Sequence, residues 1–130
     1  MKTLCLFILV ITATSVFAQK FEPIKVIPDG KALVYIYRPG SMVGAAVHYT
    51  VNANESKVSE AHLKNKSYLV FFATPGKYAI WAEVTNTRRE VSIEVEANKI
   101  YYVRGDCCEF IIPSTETAGK EIVKCNLSTP

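Results

Sequence analysis

Two histidines, one tryptophan and six scattered glycines are all that 130 residues hold of those types. His48 and His62 stand beside no candidate nucleophile in any local signature, so no Ser-His-Asp or Cys-His order is spelled. No glycine-rich loop is present to cradle a phosphate. No closed four-ligand set of Cys and His has the usual spacing for zinc, and no cofactor is implied. An excess of one charge is also missing. Fifteen basic residues face twelve acidic ones, for a net charge of +3. The one adjacent basic pair, Arg88-Arg89, is followed at once by Glu90 and reads as the solvated start of a strand. That excludes a nucleic-acid footprint. Beyond residue 18 no apolar run approaches the roughly 20 residues that cross a bilayer, so no membrane span is expected once the leader is removed.

The leader itself is present. Residues 1–18 read as a secretory signal peptide, with Lys2 at the start, an apolar run from Leu4 to Ile11, and Val16-Phe17-Ala18 ahead of a cut before Gln19. The alternative is an uncleaved anchor, but the apolar stretch from Leu4 to Ala18 is too short to span. Cys5 lies inside that run and not after the cut, which argues against lipidation. The chain is expected to be exported, periplasmic or secreted, and free of the membrane.

Residues 19–30 form a lead-in broken by Pro23 and Pro28 and closed by the turn signal Asp29-Gly30. From there the hydrophobic period is two. Lys31 to Arg38 is apolar on both faces, the mark of a central strand, and Pro39-Gly40 ends it. Ala45 to Ala53 alternates with Val47, Tyr49 and Val51 inward. Lys57 to Leu63 is a weak edge-strand candidate. Tyr68 to Ala73 is a buried run. Thr74-Pro75-Gly76-Lys77 suits a type II turn. Tyr78, Ile80, Ala82 and Val84 then share a face, as do Val91, Ile93 and Val95. Lys99 to Arg104 follows, and a last hairpin joins Cys107–Ile112 to Glu121–Asn126 across a loop at 113–120. The tail is 127–130.

Seven or eight strands without a helix give an all-β domain over 31–126, an antiparallel β-sandwich of immunoglobulin-like or prealbumin-like type; a small closed β-barrel is the rival. The expected core is Leu33, Tyr35, Val47, Tyr49, Val51, Leu69, Phe71, Tyr78, Ile80, Val91, Ile93, Val95 and Tyr102.

Three cysteines follow the leader. Pairing Ile112 with Glu121 in the last hairpin sets Phe110 against Val123 and Cys108 against Cys125, which makes Cys108–Cys125 the expected disulfide. A Cys107–Cys125 bridge is the runner-up and needs a one-residue slip. Cys107 is then left over, either as a buried structural thiol or as an intermolecular link.

Three residues are candidates for binding. Trp81 points away from Ile80 and Ala82, with Ala79 and Glu83. It is a ligand platform if that face is open and core if something covers it, and core is the favoured reading. Arg38 either meets an anion at the rim or pins the loop 39–44 through its carbonyls, and the loop accounts for Gly44 as well. The exposed carboxylates Glu90, Glu94 and Glu96 are explained by solvation. Asn54, Asn65 and Asn126 begin glycosylation sequons in turns or at the tail.

The stretch Ala32-Leu33-Val34-Tyr35-Ile36-Tyr37-Arg38-Pro39, then Gly44 and Ala45 to Val51, with Ser67 to Phe72 running into Pro75-Gly76-Lys77-Tyr78, resembles the domain of unknown function 2846 family. Its members are small exported bacterial proteins and lipoproteins. The likeness covers about residues 31–105. It implies an exported β-sandwich and brings no catalytic residues. The chain departs from the lipoprotein members in having no cysteine at the cut. Three functions come into question, one of them a structural subunit that dimerises through the spare cysteine, and two others are kept. The first is a non-catalytic module that binds an envelope protein or glycan. The second is a small secreted enzyme or inhibitor.

Overall fold

The structure, a computed structural model, describes residues 19–107 and 109–130. The expected signal peptide and Cys108 lie outside the described residues. Among the described residues nine strands and one helix follow in chain order: β1 Ala32–Arg38, β2 Asn52–Ala53, β3 Ser56–Lys57, β4 Ser67–Ala73, β5 Gly76–Val84, β6 Thr87–Val95, β7 Ile100–Gly105, β8 Phe110–Ile111, α1 Thr115–Ile122 and β9 Asn126–Leu127. They build a sandwich of two sheets and no closed barrel. One sheet has the order β8-β7-β1-β4-β9, the other β3-β2-β5-β6.

The expected sandwich is therefore present, but it is not wholly antiparallel. β1 runs parallel to β7 and β4 parallel to β9. The parallel β1–β7 ladder follows from a change of sheet: the chain leaves β6 in one sheet and enters β7 in the other. Asn98, at φ 62°, makes that corner, its N–H donating to the Lys31 carbonyl at 2.7 Å while Leu33 donates to Lys99 at 2.9 Å.

All seven residues of β1 are buried, because the strand is covered on both sides. On the inner side Val34 and Ile36 join Val51, Leu63, Ile80, Ile93 and Val95 between the sheets. On the other side Leu33, Tyr35 and Tyr37 pack with Tyr68, Ala118, Ile122 and Cys125. Each such side chain stabilises by roughly 1.5–3 kcal/mol when withdrawn from water. Every expected core residue is buried or packed half-buried against one of these clusters.

The second cluster required two coverings. One is the lead-in. Phe21 sits edge-on to both Tyr35 and Tyr68 at 5.2 Å, and the Ile24 N–H donates to the Tyr35 hydroxyl at 2.9 Å. The other is α1, which replaces the expected hairpin. Ser114 caps it by accepting from the Thr117 N–H at 3.2 Å, and Lys120 pairs with Glu116 one turn back. Ala118 and Ile122, four apart, form its buried stripe. β8 pairs instead with β7, and β9 with β4. The Ile112–Glu121 register thus does not exist.

The segment 45–51 is also less regular than expected. It keeps the alternation, with Tyr49 and Val51 buried and His48 exposed, yet only Asn52–Ala53 is ladder-paired beyond a Tyr49–Leu63 bridge. Gly76 takes φ 150° and opens directly into β5, so the type II turn expected there does not form. The β5–β6 hairpin closes on Thr85 and Asn86, at φ 49° and 64°, the pattern of a type I′ turn.

Candidate functional site

The alternation of β5 decides what faces outward from the four-stranded sheet. Ile80, Ala82 and Val84 are buried, so Lys77, Ala79, Trp81 and Glu83 point the other way. Trp81 belongs to neither core cluster and is half-exposed. The favoured reading of Trp81 as core is corrected: the sheet face stays open. The ring is nonetheless fixed. Its Nε1 donates to the Asn54 carbonyl at 2.8 Å, and the Arg88 guanidinium lies over it, 4.0 Å from the centroid. Arg88 is held in turn by Glu90 at 2.7 Å.

Two hollows follow one another along this outward row. His48, Tyr49, Thr50, Asn52, His62, Trp81 and Glu83 line an open cleft of about 480 Å³. Asn54, Lys77, Tyr78, Ala79, Ser92, Ile93 and Glu94 line a second of about 510 Å³. The two histidines, which the sequence separates by a turn and an irregular stretch, meet at the first. The Tyr49–Leu63 bridge brings them together, since each histidine neighbours one of its residues. Nothing local in the sequence announces that pairing. Among the described residues no group of three or more His, Cys, Asp or Glu could hold a metal ion. Asn54 does structural work here: its side chain accepts from the Ala79 N–H at 2.9 Å and donates to the Lys77 carbonyl at 3.3 Å.

Arg38 and Gly44 lie elsewhere, at the rim of the sandwich. Arg38 is 1% exposed. Its Nη1 donates to the Val47 carbonyl and its Nη2 to the Gly44 carbonyl. Its guanidinium stands 5.7 Å from the Tyr49 ring centroid, and the Tyr49 hydroxyl donates to the Asp106 carbonyl at 2.8 Å. Of the two readings of Arg38, the geometry shows the loop-pinning one. Gly44 takes φ 67°, and a Cβ there would come within 2.5 Å of the Cys107 Cβ. The arginine and the glycine thus lock the 39–47 loop against the bend that follows β7. A cleft of about 230 Å³ beside them is lined by Arg38, Pro39, Arg104, Asp106 and Cys107 among others.

The cysteine expectation is overturned. Cys125 carries a free, buried thiol, so neither Cys108–Cys125 nor Cys107–Cys125 forms. Cys107 is itself disulfide-bonded, and so is not the leftover thiol. The physical reason is α1: Cys125 follows the helix and points inward beneath it, its Sγ 3.6 Å from the Arg38 carbonyl. Burial pushes that thiol up to about 11, and the nearby Glu121 charge adds to the shift.

Glu121 also joins helix to sheet. It accepts from the Tyr37 hydroxyl at 2.8 Å and pairs with Arg104 Nη1 at 3.1 Å. Burial, then the bond to Glu121, raises the Tyr37 phenol well above its ordinary value.

Residues 28–119 match the model of a family described as a protein of unknown function (DUF2846). No curated protein and no solved structure matches the chain.

Proposed function

The chain belongs to the DUF2846 family, and from the geometry of its open face we propose that it is an exported, non-catalytic binding module of the cell envelope or medium, with Trp81 at the centre of its binding face. The observation that carries this reading is an aromatic ring held in one orientation on an uncovered sheet, beside an open polar hollow. A fixed ring loses little freedom when it meets a ligand, and a mixed fringe of donors and acceptors suits hydroxyl-rich partners. Among the partner classes weighed, a glycan fits this face better than a protein. The hollow at the two histidines is open and lined chiefly by polar side chains, and among the described residues none of the large exposed aliphatics lines it.

Export rests on the leader. Among the described residues no helix is long and apolar enough to cross a membrane.

One observation favours the enzymatic reading. His48, His62 and Glu83 line the same cleft, which brings acid–base groups together where the sequence shows none. The two readings separate by titration calorimetry with envelope saccharides, using the wild-type protein, Trp81→Ala and the double variant His48→Ala/His62→Ala. A binding module loses affinity in the tryptophan variant and leaves every saccharide intact. Turnover that disappears in the histidine variant would make the protein an enzyme.

A further inference from the structure

Among the described residues β6 is the outer strand of its sheet, hydrogen-bonded to β5 on one side only, with β8 of the other sheet packed near it. It is nine residues long, whereas the other three edge strands of the described fold, β3, β8 and β9, have two residues each. Its pairing with β5 runs unbroken from Thr87 to Val95, and it contains neither proline nor bulge. A long regular edge of this kind presents a row of backbone donors and acceptors to any further strand.

The side chains select the occupant. Successive residues of β6 turn their backbone groups alternately toward β5 and toward the free edge. Two copies joined about a two-fold axis must therefore oppose residues of the same parity, and the axis passes through a residue. Centred on Val91, the pairing sets Arg88 opposite Glu94 of the second copy, Glu90 opposite Ser92, and Val91 opposite itself. The charge pair occurs twice, once on each side of the axis. Centred on Glu90, two carboxylates face each other. Centred on Ser92, Glu90 meets Glu94. One register alone among these three is free of like-charge contacts and gains two opposite-charge pairs. Arg88, Glu90, Ser92 and Glu94 are all exposed and all lie on the outer face, as that pairing requires.

The surface beside the strand is apolar. Ser92, Ile93 and Glu94 border a cleft of about 290 Å³ whose other wall includes Ile100 and Ile112. Those two isoleucines are 47% and 56% exposed. An added strand passes beside them at the end of β6 that receives Arg88 of the second copy.

We propose that this protein forms a two-fold homodimer through antiparallel β6–β6 pairing centred on Val91, which joins two four-stranded sheets into one continuous eight-stranded sheet. The inference stands independently of the ligand. It also places the two Trp81 faces on the same side of the joined sheet.

The test is sedimentation equilibrium of the protein exported from cells expressing the full chain, alongside Arg88→Glu, Glu94→Arg and the double exchange R88E/E94R. Each single exchange places like charges opposite one another twice and weakens the dimer by about tenfold. The double exchange restores opposite charges and returns the dissociation constant to within about threefold of wild type. Circular dichroism confirms the fold of each variant, and Glu94→Arg leaves the Trp81–Arg88 contact in place. A monomer at every concentration overturns the proposal, as does a dimer that ignores the single exchanges or is not restored by the double one.

Discussion

The Arg88 guanidinium stacks on the Trp81 ring at 4.0 Å, reaching from β6 across to β5 on the open face of the sandwich. The pair is partly exposed, so the contact contributes on the order of 0.5–1 kcal/mol to stability. Its larger effect is geometric. Together with the Nε1 bond to the Asn54 carbonyl, it leaves the ring a single position.

Arg88→Ala is expected to cost at most about 1 kcal/mol and to expose the ring to water. Trp81 is the sole tryptophan, so the intrinsic emission of the protein reports on it alone. A red shift in the variant, with an urea midpoint close to wild type, is the expected result. An unchanged spectrum would show that the ring is not covered by Arg88 in solution.

Arg38 is judged by its two carbonyl partners. Arg38→Lys keeps the charge but cannot span the Gly44 and Val47 carbonyls together, and loses about 3 kcal/mol in urea unfolding. Gly44→Ala forces a Cβ into left-handed backbone and against Cys107, and loses about 2–3 kcal/mol. Arg38 holds the residue before His48 and packs on Tyr49, both of which line the Trp81 cleft, so ligand binding there is expected to weaken in whichever of these variants remains folded.

The β5–β6 turn holds a β-branched residue in left-handed backbone, Thr85 at φ 49°. Asparagine tolerates that conformation better, so Thr85→Asn is expected to raise stability by about 1 kcal/mol. Thermal unfolding checks it. A loss of stability would mean that the Thr85 hydroxyl bond to the Val84 carbonyl outweighs the strain.

Cys125 is protonated and shielded. In the folded protein its thiol is raised to about 11, and the Tyr37 and Tyr49 phenols are raised as well, chiefly by burial. The native state therefore holds protons that the unfolded chain releases. Stability is full below pH 9 and falls as the pH climbs through the folded values. Alkylation at pH 8 should label Cys125 only after denaturant is added. Rapid labelling of the native protein, or a disulfide to Cys125 found by peptide mapping, would contradict the buried thiol.

The sandwich was legible in the sequence because its strands alternate cleanly. β5 and β6 show which residues face inward, and Lys31 to Arg38 announces a strand covered on both sides. What covers it was not legible. Ala118 and Ile122 are the only buried residues of α1, too few for the helical period to stand out, and Cys108 and Cys125 suggested a hairpin in its place. The cap at Ser114 and the Glu116–Lys120 pair were the available signals. The Trp81 face was half legible. Strand parity directed the ring outward, but whether that face stayed open depended on the lead-in covering the opposite sheet. The meeting of His48 and His62 depends on one long-range bridge, and no local pattern encodes it.

The most direct test of the binding face is to titrate the exported protein with soluble fragments of the cell-envelope glycan while recording Trp81 emission. A saturable change in intensity or wavelength, absent from Trp81→Phe excited at the same wavelength and accompanied by tenfold or greater loss of affinity in Trp81→Ala, is the expected result. Glycan binding that leaves the emission of the single tryptophan untouched, or no binding at millimolar fragment, would contradict the account.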